Sequence, residues 1–481
     1  MAAKRTQTAR GAGLPPKLGP TIYPLVSILL LIPCFWQSRL QAGDLSSHIY
    51  NAWLAQLIAA GQAPGLTVAR QTTNVLFDLM LSGLFAAAGA EAAQRVSVSL
   101  TVLIFVWGAF AFVSTVSGRP AWHMLVLIAM LAYGWVFHMG FFSFYLSLGL
   151  CFWALSLSWE GKPRRMAAAV PVLAVAWLAQ ALPVAWTASV LLYLWLAHRR
   201  QPRAHLLLVI GSALAMVFLH VALGTGIDTR WYPAQISKAT GLDQVLVFDD
   251  KYWIAVIGLL VIWIGQFRES EIRPLVTSVL AQVSLLTALG IFILPTAILL
   301  HGYQALLAFI AERMSLALAI CICALLAAAR SRPWHRYAAA LAAIVFFAFL
   351  YRDEAILNSV EDRMTRLVSQ LPANQRVVSA IDASGLRVNP LTHMIDRVCI
   401  GRCYSYANYE PSTGAFRVRT VADNPIVMST YLAAWKLQIG SYVTEDRDLP
   451  LYQVNIDSNH CLVMLSLLPG VPSGITHWNP L

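Results

Sequence analysis

The sequence predicts an all-α polytopic membrane bundle of about eleven transmembrane helices, followed by a C-terminal extracytoplasmic domain of α/β or β-rich type. Three observations predict it. Of 481 residues, 58% are hydrophobic and 12% charged, too apolar for a surface solvated by water. Apolar runs alternate with short basic clusters, EGKPRR (160–165), HRRQPR (198–203) and RSRPWHR (330–336). After Tyr351 the composition turns polar and mixed. The net charge of +11 therefore reads as positive-inside topology and not as a nucleic-acid-binding face.

Residues 1–20 form a cytoplasmic tail, in which Lys4, Arg5, Arg10 and Lys17 precede the apolar stretch Ile22–Trp36. That layout is a signal anchor, because no clean small-x-small cleavage site follows and many apolar segments come after it. The transmembrane module covers 21–351. Its spans fall at 21–38, 96–116, 121–138, 142–159, 166–182, 183–198, 204–223, 252–266, 275–299, 304–329 and 337–351, with Pro183 expected to break the run 166–198.

Val75–Ala88 decides the topology. Read as an interfacial or re-entrant helix inside an external loop 39–95, it leaves sixteen Lys/Arg on the cytoplasmic side and six in the outer loops before the tail. Counted as a span, it would reverse every later loop. The resulting odd span count, in a cell inner (plasma) membrane, puts 352–481 outside the cytoplasm. This tail carries β-branched runs at Arg376–Ile381 and Phe416–Val421. Four cysteines, Cys34, Cys151, Cys321 and Cys323, lie in apolar spans as small hydrophobes. Of Cys399, Cys403 and Cys461 two can pair in an oxidising compartment, and C-x3-C without an adjacent His is a poor zinc pattern.

The first outer loop reads QAGDLSSHIYNAWLAQLIAAGQAPGL. Asp44 and His48, four apart, share one face of an amphipathic helix whose Ile49, Trp53, Leu54, Leu57 and Ile58 can lie on lipid or protein. Asp44 is also an ordinary helix cap, and His48 an ordinary interfacial residue. Asn74 and Asp78 repeat the spacing at the start of the interfacial segment. An ionisable group within VLFDLML costs about 2.5–3.5 kcal/mol if it faces lipid, so Asp78 faces protein, water or a substrate.

These residues resemble a family. An acidic residue just after span one, two juxtamembrane helices, a bundle with basic turns and a terminal external domain look like the C-type superfamily of membrane glycosyltransferases (GT-C). The nearer resemblance is to bacterial members whose loop reads D-L-x-x-H followed by N-x-x-x-D, here Asp44 to His48 and Asn74 to Asp78. HMGFFSFYLSLGLCFWALSL (138–157) is similar to their G-F-x-x-F-x-L-x-L-G-L segment. The motifs cover about the first 160 residues; Gln180 stands where such relatives often carry a histidine.

The resemblance implies a polyprenyl-phosphate sugar donor in membrane lipid, and a glycan, lipid or protein acceptor. It makes Asp44 the general base, with His48, Asn74 and Asp78 orienting it, binding sugar hydroxyls or contributing to a divalent-metal site. Arg313, beside Glu312 in LLAFIAERMSLAL, either holds the donor phosphate or closes an internal salt bridge. In the loop 226–251, Arg230 is a further donor-binding candidate, and Trp231, Tyr232, Asp249 and Asp250 can cover the donor. The tail segment HMIDRVCIGRCYSYANYEPSTGAFRVR suits acceptor or glycan binding, and equally has ordinary turn composition. The competing functions are a transporter or flippase, against which stand the long first loop and the lack of internal repeats, and a non-catalytic membrane assembly protein.

Overall fold

The computed structural model describes residues 21–380, 386–421, 424–456 and 463–468. The chain is mostly helical, and helices occupy every one of the apolar segments named above. By length and composition, four are long and apolar enough to cross a membrane: Leu76–Ser117, Pro202–Gly226, Asp250–Glu269 and Ile310–Ala328. Others are shorter. The 17 residues of Phe142–Ser158 reach roughly 26 Å against a hydrocarbon core of about 30 Å, so length alone does not reproduce eleven spans.

The helix α1 (Leu45–Ala59) follows the first apolar segment, and α2 (Leu76–Ser117) begins with the segment expected at the interface. Gly89 interrupts α2 with φ 80° and ψ 177°, a backbone that only glycine adopts cheaply. Leu76–Ala88 is therefore a separate helical rod from the apolar stretch beyond the kink. The break expected at Pro183 lies instead at Gln180, which is extended (φ −165°) between Pro163–Ala179 and Ala181–Ala197. Pro183 sits within the first turn of the second helix, where its missing N–H costs nothing.

Two further helices organise the second half. α3 is Ile310–Ala328, and α4 runs unbroken from Pro333 to Val368, so the expected boundary at 351/352 falls inside a helix. Beyond its apolar first half, α4 buries a polar stripe of Glu354, Asn358 and Glu361. That stripe grips the chain leaving the first apolar segment. Trp36 Nε1 donates to Glu354 (2.7 Å), Ser38 Oγ and the Arg39 amide to Asn358 (2.8 and 2.9 Å), and Gln41 Nε2 to Glu361 (2.7 Å).

The tail is mixed α/β. Four strands, β4 (Arg376–Ala380), β5 (Tyr404–Ser405), β7 (Leu451–Ile456) and β8 (Val463–Leu467), form one sheet in the order β5-β4-β7-β8, parallel except for the last pair. The run expected at Arg376–Ile381 is β4, Ile381 lying outside the described residues. The run at Phe416–Val421 contains β6 (Val418–Thr420), which joins a different sheet: it pairs antiparallel with β1 (Leu66–Val68) of the first loop. A disulfide links Cys399 to Cys403 at the end of α5 (Leu391–Cys399), and Cys461 lies outside the described residues.

The first loop and the tail thus share a sheet and a core. α1 is not the amphipathic surface helix that its sequence suggested, because every residue from Leu45 to Ala52 is buried. The bundle covers one side and the tail the other. Tyr50 Oη accepts the Ser405 amide (3.0 Å), and Asn408 Nδ2 donates to Asn51 Oδ1 (3.0 Å).

Candidate functional site

The Asp44 position is built by two backbones crossing at close range. The Gly43 amide donates to the His138 carbonyl (2.7 Å) and the Asp44 amide to the Met139 carbonyl (3.0 Å). Gly140 has φ +82°, and a Cβ there would lie 2.5 Å from the Asp44 nitrogen, so the crossing requires glycine on the HMGFF side. Two motifs a hundred residues apart are therefore one structural unit. Asp44 stands at the N-cap of α1, yet its side chain makes no capping hydrogen bond. The carboxylate, 21% exposed, faces a cavity of about 480 Å³.

Of the residues singled out from the sequence, Asp44, His48, Asn74 and Arg313 line that one cavity, and Gln180 joins them. Asn74 holds φ 53°, a left-handed conformation that asparagine tolerates, at the turn into α2. The Arg313 guanidinium lies 3.8 Å from the centroid of the Phe141 ring, and its Nε is buried without a hydrogen-bond partner. Glu312 turns away from it and accepts from Thr296 Oγ1 (3.1 Å). The internal salt bridge weighed for Arg313 is thus not formed, and among the described residues no carboxylate lies within ion-pair distance of it.

Asp78 does not reach the cavity. It sits behind His48, with Oδ1 3.0 Å from His48 Nδ1, so that of protein, water and substrate it faces protein. Arg230 is not brought to the site: it lies in the short strand β2 (Thr229–Arg230), paired with β3 (Ala297–Ile298). Its contribution is indirect, since that pairing anchors the loop 299–309, much of which forms the apolar wall of the cavity. Asp249 and Asp250 are committed to Lys251 (2.9 Å) and Arg387 (2.6 Å) outside the cavity. Among the described residues no group of three His, Cys, Asp or Glu is placed to hold a metal, so a divalent ion finds no ligand set in His48, Asp78 and their neighbours.

The tail supplies what the sequence did not reveal. Glu410, 2% exposed, accepts from Ser47 Oγ (2.8 Å) and lies 3.6 Å from His48 Nδ1, placing the buried His48 between the Glu410 and Asp78 carboxylates. His393 on α5 lines the cavity with Nε2 3.8 Å from Asp44 Oδ1, while its Nδ1 lies 3.2 Å from the buried Asp396. The signal was present as H-x-x-D at helical spacing, but nothing local shows that this pair faces a loop 350 positions earlier.

Burial disfavours the charge on His48, but the Glu410 and Asp78 carboxylates outweigh it and push the imidazole well above its ordinary value. Burial, with Asp78 close by, likewise raises Glu410 despite the opposing pull of His48. Both groups bind a proton more tightly folded than unfolded. Their stabilisation is complete below the unfolded values and is lost as pH rises through the folded ones. The melting temperature is therefore expected to fall as the pH is raised above neutrality. His48→Gln, with no proton to lose, should remove the imidazole's part of that slope in a thermal melt series. An unchanged slope would show that the cluster does not set it. Compared with protein-family models, curated proteins and solved structures, the chain has no significant match to any of them.

Proposed function

We propose that the chain is a membrane glycosyltransferase that moves a sugar from a polyprenyl-phosphate donor to an acceptor on the side of the membrane where the tail lies. One observation carries the reading: a carboxylate that makes no capping bond, Asp44, and a guanidinium with no carboxylate partner among the described residues, Arg313, line the same cavity, one wall of which is apolar. A half-buried cation with no carboxylate partner is costly and is kept where an anion completes it. A lipid phosphate fits, with the cation on its head and apolar side chains on its isoprenoid end. The likeness of the D-L-x-x-H, N-x-x-x-D and G-F-x-x-F segments to the C-type superfamily supports the same assignment.

The chemistry follows from those groups. The acceptor O–H bond breaks toward Asp44 as the acceptor oxygen bonds to the anomeric carbon. The bond from that carbon to the phosphate oxygen breaks, and its electron pair stays on the phosphate beside Arg313. A stable phosphate leaving group needs little acid assistance. The test is donor consumption by purified protein in lipid nanodiscs with a panel of polyprenyl-phosphate sugars. Binding of a donor without consumption would favour the assembly-protein reading.

In this reading the tail and the first loop are extracytoplasmic, and Leu76–Ala88 lies at the membrane surface. Single cysteines at Arg70, Glu91 and Val443, all exposed, should react with an impermeant maleimide from the same side. Reaction of Arg70 and Glu91 from opposite sides would overturn that topology.

A further inference from the structure

The cavity has two chemically different walls, and the difference follows the chain. The bundle and the loop 299–309 contribute mostly apolar side chains around Asp44 and Arg313, the phenyl rings of Phe141, Phe144 and Phe309 as well as aliphatic groups. Beside His393, the tail contributes rings and neutral hydrogen-bonding groups, Tyr409, Tyr431, Trp435, Asn389, Thr392 and Gln438. Among the described residues the tail brings no Lys or Arg to the lining. Its nearby cations are spent elsewhere: Arg397 on Glu361, and Arg376 on the carbonyls of Pro425 and Arg447.

We propose that this tail wall is a binding subsite for a neutral carbohydrate, the acceptor glycan whose hydroxyl is presented to Asp44. The inference rests on the transferase reading for the word acceptor and on the wall alone for the word carbohydrate. A sugar ring offers an apolar C–H face to aromatic rings and hydroxyls to amides and alcohols, which is the mixture found here. An anionic headgroup would need a free cation on this side, and the one ionisable base the tail brings to the lining, His393, already lies between the Asp44 and Asp396 carboxylates. An extended peptide would need an unpaired strand edge, and neither edge strand of the tail sheet, β5 or β8, contributes a described residue to the lining.

The side chains are held for this role. Gln438 Nε2 donates to the Ala407 carbonyl (2.9 Å), which fixes the amide plane, and Asn389 Oδ1 accepts the Leu391 amide (3.0 Å) at the start of α5. The Tyr409 ring packs against His393 at 5.0 Å between centroids, and His393 is the residue beside Asp44, so the wall adjoins the base directly. Trp435, on the helix α6 (Tyr431–Gln438), lines the cavity and is still 46% exposed, as a stacking platform at the mouth should be.

The experiment is saturation-transfer NMR on full-length protein in nanodiscs, with maltotriose, cellotriose, mannotriose and chitotriose as neutral probes and farnesyl phosphate as an anionic lipid probe. At least one trisaccharide should receive saturation. Its affinity should fall roughly tenfold in Trp435→Ala and be retained in Trp435→Phe. Farnesyl phosphate should respond in the opposite way, weakened by Arg313→Ala and not by Trp435→Ala. The proposal is overturned if no trisaccharide binds the wild type, or if Trp435→Ala binds the sugar as well as wild type. Sugar binding without donor consumption would sink the transferase reading and leave the subsite standing. Donor consumption without sugar binding would do the reverse.

Discussion

Asp44→Asn is expected to lower sugar transfer at least ~10²-fold, equivalent to roughly 2.7 kcal/mol of transition-state stabilisation, while leaving folding and membrane insertion intact. The substitution preserves size and hydrogen-bonding shape. Asparagine caps a helix about as well as aspartate, and the Asp44 side chain makes no capping bond to lose. A purely structural role therefore predicts almost no change, so the two outcomes are well separated. The alternatives to Asp44 are few: among the described residues it is the only carboxylate lining the cavity. Asp78 stands behind His48, and Asp249 and Asp250 are paired elsewhere. Donor consumption that survives Asp44→Asn unchanged would thus remove Asp44 as the base and leave only the His48 and His393 imidazoles as proton acceptors in this cavity.

Much of the site was legible because it is locally written. Asp44 and His48 are one helical turn apart, Asn74 sits at the turn leading into the next helix, and Arg313, beside Glu312, is a charge in an apolar run. Lipid solvation makes every such polar residue conspicuous. What the sequence could not show are the long-range partners. Ser47 meets Glu410 at a separation of 363 residues, and His393 meets Asp44 across a similar distance. Their hydrogen-bonding and charge complementarity leaves no periodic trace. The same blindness explains α1. Its Ser46, Ser47 and Asn51 are polar and yet buried, and the tail provides the hydrogen-bond partners of Ser47 and Asn51. Span counting went furthest where helices are long and least far for short ones such as Val279–Ile293, whose apolar composition is clear but whose reach falls short of a bilayer.

The position of the tail wall depends on one buried ion pair, and Arg397→Ala is the substitution that tests it. Arg397, on the helix that carries His393, donates Nε and Nη2 to the two oxygens of Glu361 (2.8 and 2.6 Å). Its Nη1 reaches the Leu40 carbonyl and Gln94 Oε1, each at 2.8 Å. One guanidinium therefore ties α5 to α4, to the chain leading into Asp44, and to α2 beyond the Gly89 kink. Glu361 is 1% exposed, and its other cation, Arg39, lies further off at 3.4 Å and is partly solvated. Removing Arg397 leaves that carboxylate buried without its main counterion, a change that costs about 3–5 kcal/mol. Lysine should not restore it, because a point charge cannot make the two parallel bonds of the fork or reach Leu40 and Gln94 at the same time. The double variant Arg397→Met with Glu361→Leu should recover much of the lost stability in a thermal melt, since the cost lies in the stranded charge more than in the missing attraction. If Arg397→Ala melts like wild type, the clamp is not what holds the tail. If the double variant regains stability but not sugar binding, α5 needs the clamp for its exact placement beside Asp44 as well as for its attachment.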